Sequence, residues 1–175
     1  ILNRKAFENA IVVNTAIGGS TNVPPHLQAI ARHSGVSLEI ADWQKYGYDI
    51  PLIVNMQPAG KYLGEAFFRA GGVPAVMEEL AEAKKLHLDT ITVTGKYLRD
   101  NLKGKVSSDK DVIRNYTNPL KEKAGFLVLT GNLFESALMK TSVISDEFRS
   151  QFLSNKAYYI IWRHSHLLMD AIFII

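Results

Sequence analysis

The stretch Asn14-Thr-Ala-Ile-Gly-Gly-Ser-Thr-Asn22, followed at once by Val23-Pro-Pro-His26, constrains this chain more than any other. Two adjacent glycines allow backbone dihedrals closed to other residues. Ser20, Thr21 and Asn22 are three consecutive side chains able to cap a helix. Pro24 and Pro25 suit only a helix's first turn, where their missing N–H groups cost nothing. The segment predicts a helix, a glycine break, and a new helix whose open N-terminus aims its N–H groups at an anion, carboxylate or phosphate. The alternative is a plain helix–helix corner with no ligand, since capping signals are common.

The rest of the chain alternates helices with short apolar runs. Residues 5–17 place Phe7, Ala10, Ile11 and Ile17 on one helical face with Asn14 in the same stripe. A polar residue there is either a satisfied core or cap group or one that faces a ligand. The next helix runs from Val23 to about His33, stops at Gly35, and would bury Leu27, Ile30 and Ala31. His26 lies in its first turn, and a lone histidine makes no metal site. A short helix begins near Asp42, holds Trp43 and Tyr46, and closes at Gly47. Ile50-Pro-Leu-Ile-Val-Asn55 predicts a buried strand opening into the glycine loop Met56–Tyr62, a place where α/β folds commonly bind ligands. Lys61 is positioned there to meet an anionic substrate, or is simply solvated.

Further along, a helix over Lys61–Ala70 is expected to bury Leu63, Ala66, Phe67 and Ala70. Another starts at Pro74, with Val76, Met77, Leu80 and Ala83 inward. Thr90-Ile-Thr-Val-Thr94 alternates as a strand, and a short helix follows around Tyr97–Leu102. Lys103–Asp111 is polar and charged and predicts a linker. Beyond it, Val112–Tyr116, Gly125–Gly131 and Phe134–Thr141 are short strand candidates opening an all-β unit, and Ser145–Leu153 a helix.

Charge and composition close several routes. A formal charge of +3, with basic residues scattered, gives no case for nucleic acid. No cysteine is present, which excludes disulfides, zinc–thiolate sites, a cysteine nucleophile and a thiolate-ligated cluster within this chain. Residues 156–175 are apolar, but Arg163, His164, His166 and Asp170 make them a poor membrane span. His164 and His166 share one face of a strand, too few ligands for a metal.

Several ordered stretches resemble the dihydroxy-acid/phosphogluconate dehydratase family. They are Ala6–Asn14, Gly18–Asn22 with His26, Val54–Tyr62, Ala70–Ala75, Leu88–Lys96, Asn118–Glu122, Gly131–Phe134 and Met139–Ser142. Each is weak alone, and together they are specific. The wording of Gln57–Tyr62, Arg69–Pro74 and Lys140–Ser145 is closer to the sugar-acid (aldonate) branch than to the branched-chain amino-acid branch. The resemblance implies an α/β fold: residues 1–103 as the end of an α/β N-terminal domain, 104–155 as the first strands of a C-terminal β-barrel, and 156–175 as a tail outside the family pattern.

The resemblance also implies a hydro-lyase that turns 2,3-dihydroxy sugar acids into 2-oxo-3-deoxy acids, with an iron–sulfur cluster and Mg²⁺ as Lewis acids and a serine alkoxide as base. The family's cluster cysteines and most Mg²⁺ ligands lie upstream of this segment, and its last Mg²⁺ glutamate and catalytic serine downstream. No metal or catalytic position is therefore carried onto a residue here. Ser20, Thr21, Asn22, His26 and Lys61 are the candidates for lining the substrate pocket. The chain opens without an initiator Met and is read as an internal piece, inactive alone and poorly soluble or partly disordered after about residue 104. The implied partners are the sugar acid and further copies of the chain, with no nucleic acid or membrane. The implied location is the cytoplasm, or the mitochondrion for the amino-acid branch. Two other readings are a non-catalytic piece that binds intact subunits and a small anion-binding module.

Overall fold

Helix α1 (Arg4–Ile17) is the spine that separates two hydrophobic cores. The computed structural model describes residues 1–130, 132, 137–145, 147, 150 and 172–174. Asn3 caps α1, its side chain accepting the Ala6 N–H at 3.0 Å. Phe7 and Ile11 on one side of α1 join Ala31, Leu38, Trp43, Phe126 and Leu138. Val12, Val13 and Ala16 on the other join Ile50, Ile53, Val54, Ala75, Val76, Leu80, Val112 and Ile113. The 3.6-residue period puts these two sets on different faces of one helix.

Helix α2 (Val23–His33) is followed by a single turn, α3 (Ile40–Asp42), that runs on into a π-helical turn, Trp43–Gly47. Helices α4 (Gly64–Arg69), α5 (Gly72–Glu82) and α6 (Leu98–Leu102) complete the helical part. The β part is a three-stranded antiparallel sheet in the order β1 (Phe126–Leu129), β2 (Ala137–Lys140), β3 (Ile172–Ile174). Phe126 pairs with Lys140 and Met139 with Ile172, so the far end of the expected tail joins this sheet. The helix expected over Ser145–Leu153, and the histidines 164 and 166, lie largely or wholly outside the described residues.

Three strand expectations changed. Ile50–Asn55 is extended and buried but forms no ladder. Its backbone groups bond at isolated points, Leu52 N–H to Lys121 O at 2.8 Å and Asn55 N–H to Val112 O at 2.9 Å. Residues 112–124 turn at Asn115–Asn118, where the Asn118 N–H reaches Asn115 O at 3.0 Å, so they meet it at single bridges (Leu52 with Lys121, Val54 with Ile113). Val112–Tyr116 is for the same reason no strand. Thr90–Thr94 is a closed loop, with Ile91 and Val93 exposed and the Thr92 and Thr94 hydroxyls bonded to Asn101. The segment doubles back on itself at one bridge, Ile91 with Tyr97, and local hydroxyl bonds of this kind compete with any longer ladder.

Side-chain expectations also moved. Leu63 and Ile30, expected inside, are 64% and 46% exposed. Helix α4 starts at Gly64, after Leu63, and α5 starts at Gly72, two residues before Pro74. The expected linker is strapped down: Ser108 donates N–H to Ala70 O at 3.1 Å and Oγ–H to Arg69 O at 3.1 Å, and Lys110 pairs with Glu79. Residues 112–124 then bond back along 50–55, ending with Ala124 N–H to Ile50 O at 2.9 Å. The described residues after 104 are therefore packed on the helical part.

A polar network ties three segments to the start of α1. Arg4 donates to Glu8 at 2.8 Å, to both carboxylate oxygens of Asp42, and to Ser37 O at 2.7 Å. Glu8 also meets His87 Nε2 at 2.7 Å, while the Asn9 amide exchanges two bonds with the His87 backbone. Burial pushes the Glu8 and Asp42 carboxyls up, and hydrogen bonds, those from Arg4 foremost, outweigh it and hold both below their ordinary values of 4.5 and 3.8. Groups depressed on folding contribute stability above their unfolded pKa and lose it as pH falls. Stability is therefore expected to be level above about pH 5 and to fall below it. Arg4→Met should flatten that slope and cost about 1–2 kcal/mol at pH 7, discounted for the partly exposed guanidinium. Urea titrations across pH check it, and an unchanged slope in the variant would remove Arg4 as the cause.

Candidate functional site at the glycine corner

The corner forms as a helix stop with two reciprocal bonds. Gly18 takes φ +71°, its N–H reaching Thr15 O at 2.9 Å, and the Gly19 N–H reaches Asn14 O at 2.8 Å. This is the Schellman arrangement, and it needs a residue tolerant of positive φ. Close approach demands glycine as well. A Cβ on Gly18 would lie 2.8 Å from Leu52 Cδ1, and one on Gly19 would lie 1.9 Å from Asn14 Oδ1.

The second half of the corner departs from expectation. Asn22 precedes α2 with helical dihedrals and no side-chain cap bond. The cause is in the prolines. A cap accepts from the second or third helical N–H, and those positions are Pro24 and Pro25, which have none. The Val23 N–H is bonded to Ser20 O at 3.2 Å and the His26 N–H to Asn22 O at 3.5 Å. The prolines that mark the helix start thus strip it of the donors an anion would need, and the anion-binding helix end is corrected to a closed corner. Ser20 uses its Oγ locally, accepting the Asn22 N–H at 3.1 Å.

The five sequence candidates do not gather into one cluster through any contact among the described residues. Ser20, Asn22, His26 and Lys61 are exposed, and Thr21 is half-buried. Lys61 rests over the Tyr62 ring with Nζ 5.3 Å from its centroid. Its loop is organised by Asn55, whose Oδ1 accepts the Lys61 N–H at 2.8 Å and whose Nδ2 donates to Asp111 O at 3.1 Å.

What does converge on the corner comes from elsewhere. Ala59 Cβ and Ser142 Oγ lie 3.6 Å and 3.7 Å from where a Gly18 Cβ would stand. Lys140, buried at 6% exposure on β2, donates from Nζ to Gly18 O at 2.7 Å. Burial pushes its ammonium below the ordinary lysine range. Ser142 Oγ and Asn14 Nδ2 are buried with no partner among the described residues. The sequence singles out Asn14, in the apolar stripe of α1, but not Lys140 or Ser142. The one available signal was a lysine ending the apolar run Ala137-Leu-Met-Lys140.

A helical unit built on α1 and a buried extended segment, with an antiparallel β unit after it, defines a mixed α/β protein. A family model described as dihydroxy-acid/6-phosphogluconate dehydratase N-terminal matches residues 1–101, more than half of the chain. The chain belongs to that family.

D-xylonate dehydratase of Caulobacter vibrioides is 60% identical over 171 residues, which is 98% of this chain and 29% of that protein. That match reaches into residues 156–175. L-arabinonate dehydratase of Rhizobium leguminosarum bv. trifolii is 47% identical over 83% of the chain and 25% of its own length. Dihydroxy-acid dehydratase of Caldanaerobacter subterraneus subsp. tengcongensis is 41% identical over 84% of the chain and 27% of its length. The chain thus spans between a quarter and three-tenths of these relatives. No helix among the described residues is long and apolar enough to cross a membrane.

Proposed function

We propose that this chain is part of a hydro-lyase that dehydrates 2,3-dihydroxy sugar acids to 2-oxo-3-deoxy acids, and that it is inactive alone. The observation that carries the reading is identity: 60% to a xylonate dehydratase and 47% to an arabinonate dehydratase, against 40% to 45% to dihydroxy-acid dehydratases. The proposal includes the division at residues 103 and 155, the β unit as the start of a barrel, self-association, and a cytoplasmic location. Ser20, Thr21, Asn22, His26 and Lys61 stay within it as pocket-lining residues of the whole enzyme.

An iron–sulfur cluster and Mg²⁺ belong to the enzyme that the resemblance implies, and the residues here do not fit them. The chain has no cysteine to offer a cluster iron. Among the described residues no three His, Asp or Glu side chains gather into a metal site. No step of the reaction is assigned to this chain's side chains through either group.

The test is a chimera. Residues 1–155, substituted for the matching segment of the Caulobacter xylonate dehydratase, are expected to keep D-xylonate dehydration within about tenfold, a barrier change near 1.4 kcal/mol. The isolated 175-residue chain should form no 2-oxo acid. A chimera that dehydrates branched 2,3-dihydroxy acids instead would move the chain to the amino-acid branch.

A further inference from the structure

We propose that Lys140, Ser142 and Asn14 form a binding site for a small carboxylate at the glycine corner, where the end of α1 meets β2. Resting on the sugar-acid reading, the ligand class is a 2-hydroxy carboxylate.

Three independent observations carry it. Lys140 is a buried cation with three N–H donors, of which the Gly18 carbonyl takes one. No opposite charge among the described residues counters the effect of burial on it. A buried ammonium without a counter-ion is costly, and an anion beside it offsets that cost. Ser142, only 2% exposed, has a buried Oγ with no partner among the described residues, and Lys140 and Ser142 stand two apart at the end of β2. The Asn14 amide nitrogen is likewise buried and unpartnered among the described residues, while its Oδ1 lies against Gly19. Buried polar groups left unpaired are rare and each needs a reason. An ammonium, a hydroxyl and an amide, all donors, converge on two glycines whose missing Cβ atoms let the backbone approach. A carboxylate, with two oxygens and about four lone-pair sites, has the acceptors to serve all three.

The other polar network lacks this signature. Around Arg4, the Glu8 and Asp42 carboxylates already share the guanidinium, and Glu8 also meets His87, with no unpartnered buried donor in that network among the described residues.

The experiment is calorimetry on the 175-residue chain with D-xylonate, lactate and the neutral polyol xylitol. Both acids are expected to bind and xylitol not. Lys140→Met should weaken both acids more than tenfold, and Ser142→Ala about tenfold, the worth of one hydrogen bond to an anion. Ser142→Ala breaks no bond among the described residues, so it should fold and decides the matter if Lys140→Met does not. Failure of both acids to bind, binding of xylitol equal to xylonate, or unchanged affinity in a folded Ser142→Ala variant would each overturn the site. Lactate separates this result from the functional proposal. Its Lys140-dependent binding upholds the site even where the chimera forms no 2-oxo acid, and an active chimera with Ser142-independent binding keeps the function and removes the site.

Discussion

Gly125→Ala is expected to lower the stability of the chain by at least about 3 kcal/mol, at the upper end of what overpacking costs. A Cβ there would stand 2.3 Å from Gly47 O, 2.5 Å from Gly47 C and 2.7 Å from Tyr48 Cα. All three obstacles are backbone, so no rotamer change relieves them. Gly47 has no free space to retreat into, because a Cβ built on it would itself lie 2.8 Å from Thr15 Oγ1 and 3.3 Å from Ile11 Cγ2 of α1. Gly125 also anchors the end of β2, its carbonyl accepting the Thr141 Oγ1–H at 2.6 Å and the Thr141 N–H at 3.1 Å. The substitution should therefore pry the β unit off the π-helical turn. Urea unfolding checks it: the midpoint should fall, and a reduced slope would show the two parts unfolding separately. By contrast, Gly95→Ala meets no atom within 4 Å and carries only the strain of φ +74°, about 1 kcal/mol.

Trp43→Ala is the second large effect, about 3–5 kcal/mol. Trp43 is fully buried at the centre of the core between α1, α2 and the β unit. Its ring meets Phe126 edge to face, centroids 5.4 Å apart at 87°. Removing it opens a cavity in the core of Phe7, Ile11, Leu38 and Leu138, residues drawn from three segments that cannot all collapse inward. Trp43→Phe refines the argument. The indole Nε1 has no partner among the described residues, so phenylalanine forfeits volume but no hydrogen bond and should cost less than half as much. Equal losses for the two variants, measured by urea midpoint, would show that the ring edge rather than its bulk holds the core.

Helices were legible in the residues because their signals are local. The 3.6 period of α1 and the breaks at Gly18, Gly35 and Gly71 each act within a turn or two. The family resemblance was legible for a similar reason, since it rests on short ordered stretches, and the match over residues 1–101 agrees with it. Strands were misread where alternation was mistaken for pairing. Thr90–Thr94 alternates but meets its neighbour at one isolated bridge, Ile91 with Tyr97, whereas Phe126–Leu129 has β2 beside it over four residue pairs. A period of two reports a surface to be covered, and only the partner makes it a ladder.

The corner with which the chain announces itself shows both sides. Its residues alone determined that α1 stops at Gly18 and that α2 starts beside Pro24 and Pro25, because positive φ and a missing N–H are properties of single residues. The same two prolines already held the answer against an anion at that helix end. Only the tertiary structure decided which polar groups reach the corner: Lys140, 122 positions from Gly18, and Ser142 beside it. Burial, the loss of water around a charge, and the approach of a distant strand depend on the whole packing, and no local period in the residues encodes them.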